Sequence, residues 1–270
     1  MRPILFELFG VPVYAYSAFA VLAYLAALAW AWIEARRRGL DLVHVADLSL
    51  YLFIFGFVGA RLLFVIVYPQ VFADNWVRAL KIWQGGFIFY GGLAGAIIAG
   101  LIYLRWHRLP LGTWSDLAAP SAMIGLAVGR IGCFLNGCCY GRITPEGWPQ
   151  GLPFSVKYPP QYFRSLLDLD WRYPSPLYES AATIVIFAIL VIISRRAHKP
   201  GQVLWTMILL YGIARFGLEF LRGDDRGTIP LLALSTSQAI SLAGIIIAAI
   251  ALFWTARLRK RPQETKIGPG

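Results

Sequence analysis

Charge is scarce in this chain. Charged residues are 14% of its 270, with 14 acidic side chains against 25 basic ones, where a soluble domain carries about 25% charge. Hydrophobic residues supply 58% and the mean hydropathy is +0.62, which excludes an ordinary soluble fold and points to an integral membrane protein. Histidine is nearly absent too, with only His44, His107 and His198. The three cysteines, Cys133, Cys138 and Cys139, make no disulfide framework and contain no Cys-x-x-Cys unit, so their spacing implies no metal site. Small buried packing residues are the reading their type favours; a Cys133–Cys138 disulfide or a reactive thiol are the alternatives. No polar or Pro/Ser-rich linker divides the apolar runs, so residues 1–270 read as a single polytopic membrane domain. No internal repeat is evident, which counts against a transporter built on inverted repeats.

What is present is a succession of apolar runs, near residues 12–34, 47–68, 86–104, 115–137, 177–194, 202–222 and 233–256. Each is long enough to span a bilayer about 30 Å thick. The expected fold is therefore all-α, with about seven transmembrane helices. The first run is too long for a signal-peptide core and lacks a small-residue cleavage site, so it reads as a retained helix. The net charge of +11 would suit nucleic acid, but its distribution does not. Basic bursts (Arg36-Arg37-Arg38; Arg105 and Arg108; Arg195, Arg196 and Lys199; Arg257, Arg259, Lys260 and Arg261) follow spans one, three, five and seven. That alternation puts the N-terminus outside and the C-terminus in the cytoplasm. It also puts all three histidines on the cytoplasmic side. The longest connection, about residues 140–176, is rich in Pro, Trp and Tyr and reads as a small extracytoplasmic head.

Two spans are impure. Gly85-Gly86-Phe87-Ile88-Phe89-Tyr90-Gly91-Gly92 opens the third, where glycine permits close approach of a ligand or of a neighbouring helix. The fourth ends in Gly129-Arg130-Ile131-Gly132-Cys133-Phe134-Leu135-Asn136-Gly137, too glycine-rich to be expected as regular helix to its end. An arginine at membrane depth costs about 2.5–3.5 kcal/mol on insertion scales and normally marks a buried polar site. Tyr211, Arg215, Glu219 and Arg222 add a polar stripe about 80° wide at about 100° per residue on the sixth span. Arg130 and this stripe reach the same outer level of the bilayer, and Arg61 in the second span is a third buried cation that could join them. Several arginines at headgroup depth suit a phosphate, which guanidinium binds through a rigid fork. Glu219 either orients Arg215 or serves as a base; a purely structural ion pair is the bland alternative. No Ser-His-Asp or zinc constellation can be assembled on the outer side.

These blocks resemble the bacterial prolipoprotein diacylglyceryl transferase family. The matching segments are, in order, Val13-Tyr14-Ala15-Tyr16-Ser17, Gly59-Ala60-Arg61, the glycines of 85–95, the Gly129-to-Gly137 signature, and the Tyr211-to-Arg222 stripe with Gly223-Asp224-Asp225. Residues 174–179, Pro-Ser-Pro-Leu-Tyr-Glu, resemble a further family segment. The resemblance implies seven spans in the bacterial inner membrane. It implies transfer of the diacylglyceryl group of phosphatidylglycerol to the lipobox cysteine of a preprolipoprotein, recognised at its signal peptide, with no cofactor. Arg130 would bind the lipid headgroup, while Arg215 and Arg61 would stabilise the departing phosphate. Tyr16, Asn136, Tyr211, Glu219 and Arg222 match other polar positions of the family's cavity. Where the family has a third-span histidine this chain has Tyr90, and Cys133 and Cys138 replace an asparagine and a glutamate. A divergent paralogue with another lipid or acceptor, and a seven-span transporter or receptor, are the rival readings.

Overall fold

The computed structural model describes residues 1–8, 10–81, 85–158, 170–196, 198–223, 228–229 and 234–257. Asp224, Asp225, Arg259, Lys260, Arg261 and residues 159–169 of the expected head lie outside them. Among the described residues the chain forms seven α-helices: α1 (Ala15–Arg38), α2 (Leu42–Val67), α3 (Phe89–Trp106), α4 (Leu111–Asn136), α5 (Ser175–Ser194), α6 (Gln202–Glu219) and α7 (Thr236–Arg257). Three short antiparallel pairs join them: β1 (Ile4–Leu8) with β2 (Val11–Tyr14), β3 (Val156–Lys157) with β4 (Trp171–Arg172), and β5 (Thr228–Ile229) with β6 (Leu234–Ser235). Six of the helices, all but α6, are long and apolar enough to cross a membrane. α6 spans 18 residues but carries Arg215 and Glu219 in its last turns. Only 11% of the apolar stretch of α1 and 6% of that of α2 is buried. A surface of that composition is stable only against hydrocarbon, and the chain is a multi-pass membrane protein.

The chain divides into two compact units, Met1–Trp30 with Ser115–Gly270, and Ala31–Trp114. In the first, Ala119 and Met123 of α4, Ile186 and Leu190 of α5 and Val203 of α6 form a buried apolar cluster. Small residues let the helices meet: a Cβ on Gly125 would stand 3.1 Å from the Ala23 carbonyl oxygen, and one on Gly212 would stand 3.2 Å from that of Ser241. Buried Asp116 accepts from the backbone N–H groups of Gly201 at 2.8 Å and Leu204 at 2.9 Å. It satisfies orphan donors at the start of α6 and places a negative charge at that helix's positive end.

α4 is unbroken through Asn136, contrary to the expectation that its glycines would interrupt it. Helical glycine is tolerated there because it is needed for packing. A Cβ on Gly132 would lie 2.5 Å from the Cβ of Phe19 in α1. The helix stops one residue later, at Gly137, whose φ of 83° suits a C-terminal glycine.

The second unit rests on α2 against α3. A Cβ on Gly59 would overlap the Gly91 carbonyl, one on Gly95 would overlap that of Phe55, and one on Gly92 would stand 3.1 Å from that of Gly56. The glycines that open the third span therefore serve helix contact, the small-residue packing that substitutes for a hydrophobic driving force in lipid. Gly95→Ile is expected to destabilise the protein by about 1–3 kcal/mol through overpacking. Gly217→Ala, at a helical position with open space around it, should change little. Thermal unfolding of the helical circular-dichroism signal in detergent measures both.

Candidate active site

In the first unit, the end of α4 brings Arg130, the start of α5 brings Glu179, and the last turns of α6 bring Tyr211, Arg215 and Glu219, with Arg222 just beyond. Glu179 is the centre of this group. Its Oε1 accepts from Arg130 Nη2 at 2.8 Å and from the Tyr211 hydroxyl at 3.1 Å, and its Oε2 lies 3.5 Å from Arg222 Nη1. Its side chain is 2% exposed. An unpaired carboxylate so placed would cost several kcal/mol, and these partners are what permit its burial. Tyr211 and Arg222 thus meet at Glu179, a residue that the sequence reading left out of the candidate site. A signal for it was available: an acidic residue in an apolar span demands a cationic partner.

Arg222 is held by backbone. Gly141 bridges to it, Arg142 N–H donates to the Leu221 carbonyl at 2.9 Å, and Gly223 N–H donates to that of Tyr140 at 3.3 Å. A Cβ on Gly141 would lie 2.6 Å from the Tyr173 carbonyl oxygen and 2.7 Å from that of Leu221, so only glycine fits this crossing. Arg142 Nε donates to the Arg222 carbonyl at 3.1 Å.

Beside this hub, Arg215 Nη2 lies 2.5 Å from Glu219 Oε2, and the Ser235 hydroxyl donates to Glu219 Oε1 at 2.8 Å. The Arg215–Glu219 contact lacks hydrogen-bond alignment: among the described residues, both terminal nitrogens of Arg215, Glu219 Oε2 and Arg130 Nε are buried without a hydrogen-bond partner. Among the described residues, three guanidinium groups here meet two carboxylates. Each buried donor left unmatched costs about 1–3 kcal/mol, and an anion with several oxygens would remove that cost.

Asn136 ends α4 and, with Met1–Leu5 and Tyr14, lines a cleft of about 630 Å³. Tyr16, in the first turn of α1, is half-exposed. The three cysteines come together: Cys133 lies one turn past Arg130, the chain turns back at Gly137, and all three Sγ atoms lie within 4.8 Å of one another as free thiols. Hydrogen bonds with the Cys133 and Cys138 thiols, and then the charges of Arg130 and Arg222, hold the Cys139 thiol well below its ordinary range.

Arg61 and Tyr90 belong to the second unit. Guanidinium has five N–H donors, and those of Arg61 are directed at carbonyls of one connection: Nε at Ala79 (2.9 Å), Nη1 at Gly85 and at Gly86 (3.1 Å), Nη2 at Arg78 (2.9 Å) and Lys81 (3.4 Å). Its charge also lies over the rings of Phe72, Phe64 and Phe87. Tyr90 is the second residue of α3, exposed and packed edge-on against Phe89. These acceptors are backbone carbonyls, which no residue type reveals in advance.

Glu179→Ala leaves Arg130 and Arg222 without their buried counter-charge and should destabilise the protein by about 3–5 kcal/mol. Glu179→Gln, which keeps an acceptor for Tyr211, should cost less. Unfolding midpoints in detergent rank the two.

The family model for prolipoprotein diacylglyceryl transferase matches residues 3–254. A phosphatidylglycerol–prolipoprotein diacylglyceryl transferase of Clostridium tetani is 37% identical over 262 residues, covering 97% of this chain and 100% of the relative. Relatives of the same description in Geobacter sulfurreducens (34% identical, 92% of this chain and 94% of the relative) and a Nostoc strain (31%, 96% and 91%) are similar over nearly the whole length.

Proposed function

The chain belongs to the prolipoprotein diacylglyceryl transferase family, and from that premise we propose that it transfers the diacylglyceryl group of phosphatidylglycerol to the lipobox cysteine of preprolipoproteins. The observation that carries this reading is the buried cluster of Arg130, Arg215 and Arg222, in which Arg130 Nε and Arg215 Nη1 have no acceptor among the described residues. Phosphate supplies acceptors in the fork geometry that guanidinium prefers. The protein works in the bacterial inner membrane with its N-terminus outside, its cluster at the outer leaflet and a signal peptide as the source of the acceptor.

The acceptor thiolate attacks the glycerol carbon that bears phosphate. A C–S bond forms as the C–O bond breaks, and glycerol phosphate departs with the electron pair. Arg130 binds the headgroup and Arg215 faces the developing phosphate charge, while Glu179 and Glu219 fix the two guanidiniums. Preorganised donors of this kind are usually the largest contribution to such a step. Asn136, Tyr16, Tyr211 and Arg222 line the substrate path. Arg61 has its donors occupied by carbonyls, so its part is to hold the connection between α2 and α3. A free thiol has a pKa near 8.5, and tyrosine, with a pKa near 10, stays protonated at neutral pH and is a poor base there in place of histidine. The cationic surroundings of the cluster favour the thiolate.

Arg130→Ala is expected to lower transfer to a lipobox peptide by about 10²–10³-fold while the protein still inserts, with Arg130→Lys intermediate because ammonium lacks the fork. Mass spectrometry of the peptide reads the product. Full activity of Arg130→Ala would remove Arg130 from the site.

A further inference from the structure

Cys133, Cys138 and Cys139 are unused by the mechanism above, yet the fold collects them. One comes from the last turns of α4 and two from the segment that turns back after Gly137. Their Sγ atoms lie within 4.8 Å of one another, with Cys133 buried and the other two partly so. Three thiolates around a tetrahedral zinc at about 2.3 Å stand about 3.8 Å apart, so rotamer adjustment of about 1 Å closes the site. A disulfide would use two of the three and strand the third beside two cations. Thiolates select soft ions such as zinc over the hard cations that carboxylates and carbonyls hold.

We propose that these three cysteines form a zinc site with an open fourth position that takes the acceptor thiol. Three protein ligands with one position left over is the arrangement of reactive zinc sites, whereas structural sites are closed by four. Charge supports it. Zinc with three thiolates carries one net negative charge, and the segment that bears Cys138 and Cys139 runs on to Gly141, which bridges to Arg222. Cys133 also stands one helical turn from Arg130, which places a metal-bound acceptor beside the guanidinium assigned to the lipid headgroup. On binding, each site thiol releases its proton to water. The acceptor thiol then displaces a zinc-bound water and gives its own proton to solvent, remaining as a coordinated thiolate. That thiolate needs no histidine base, which addresses the tyrosine at position 90. The fourth-ligand assignment rests on the transferase reading; metal binding by the three cysteines does not.

The experiment uses the purified full-length protein in detergent. It is equilibrated with Zn²⁺, desalted and assayed for metal, then loaded with Co²⁺ for absorption spectroscopy. One equivalent of zinc should be retained by the wild type and lost in Cys139→Ser and Cys133→Ser, with helical circular dichroism confirming that the variants fold. Cobalt should give sulfur-to-metal charge-transfer absorption that strengthens when a lipobox peptide is added and not when its cysteine is serine. Retention of no metal, equal retention in the cysteine variants, or a native mass showing two of the thiols joined as a disulfide would overturn the site. A cobalt spectrum indifferent to the peptide would overturn the fourth-ligand assignment. Lipid transfer at the full rate by metal-free protein would overturn the fourth-ligand assignment and leave the transferase reading standing; zinc retention without any lipid transfer would uphold the site and contradict the transferase reading.

Discussion

One buried carboxylate organises the candidate site. Glu179 receives Arg130 from α4, Tyr211 from α6 and Arg222 from the turn after α6, and so ties three elements of the first unit through one side chain. The cost of dehydrating it is met only while those partners stay in place. The same carboxylate holds both guanidiniums by charge, and Arg130 Nε has no partner among the described residues. Rigid, incompletely matched cations are what an electrostatic site for an anionic leaving group requires.

Small residues do the complementary work. Around the site, Gly141 lets the 140–142 segment cross the 221–223 segment, and Gly132 lets α4 approach α1. In the second unit, Gly59, Gly91 and Gly95 bring α2 against α3, and Arg61 gathers the carbonyls of the following connection. A membrane protein cannot rely on apolar burial to join its helices, so close backbone contact and buried polar bonds take that role. Both appear in each unit.

Much of the fold was legible because apolar length and charge placement dominate a membrane sequence. The seven runs correspond to seven helices; of the α6 stripe, Tyr211, Arg215 and Glu219 lie on the helix and Arg222 just beyond its end. The continuity of α4 was not legible, since glycine signals a break or a close contact equally well and only the neighbour decides which. Arg61 was read as one more cation for a phosphate because its partners are backbone carbonyls, which no residue type announces. Glu179 is legible only as a carboxylate in an apolar span that demands cationic partners, and those partners lie on other elements of the fold. The cysteines show the limit of spacing as a criterion. Positions 133, 138 and 139 fit no common metal pattern along the chain, and the turn at Gly137 brings their thiols together all the same.

The central claim is that this cation cluster serves covalent transfer from an anionic lipid to a thiol. The most direct measurement is incubation of the purified protein with phosphatidylglycerol and a lipobox peptide, followed by mass spectrometry of the peptide. The account predicts a diacylglyceryl mass gain on the cysteine, matched by released glycerol phosphate and abolished when the acceptor cysteine is serine. Well-folded protein that leaves the peptide unmodified across several lipobox sequences would contradict it.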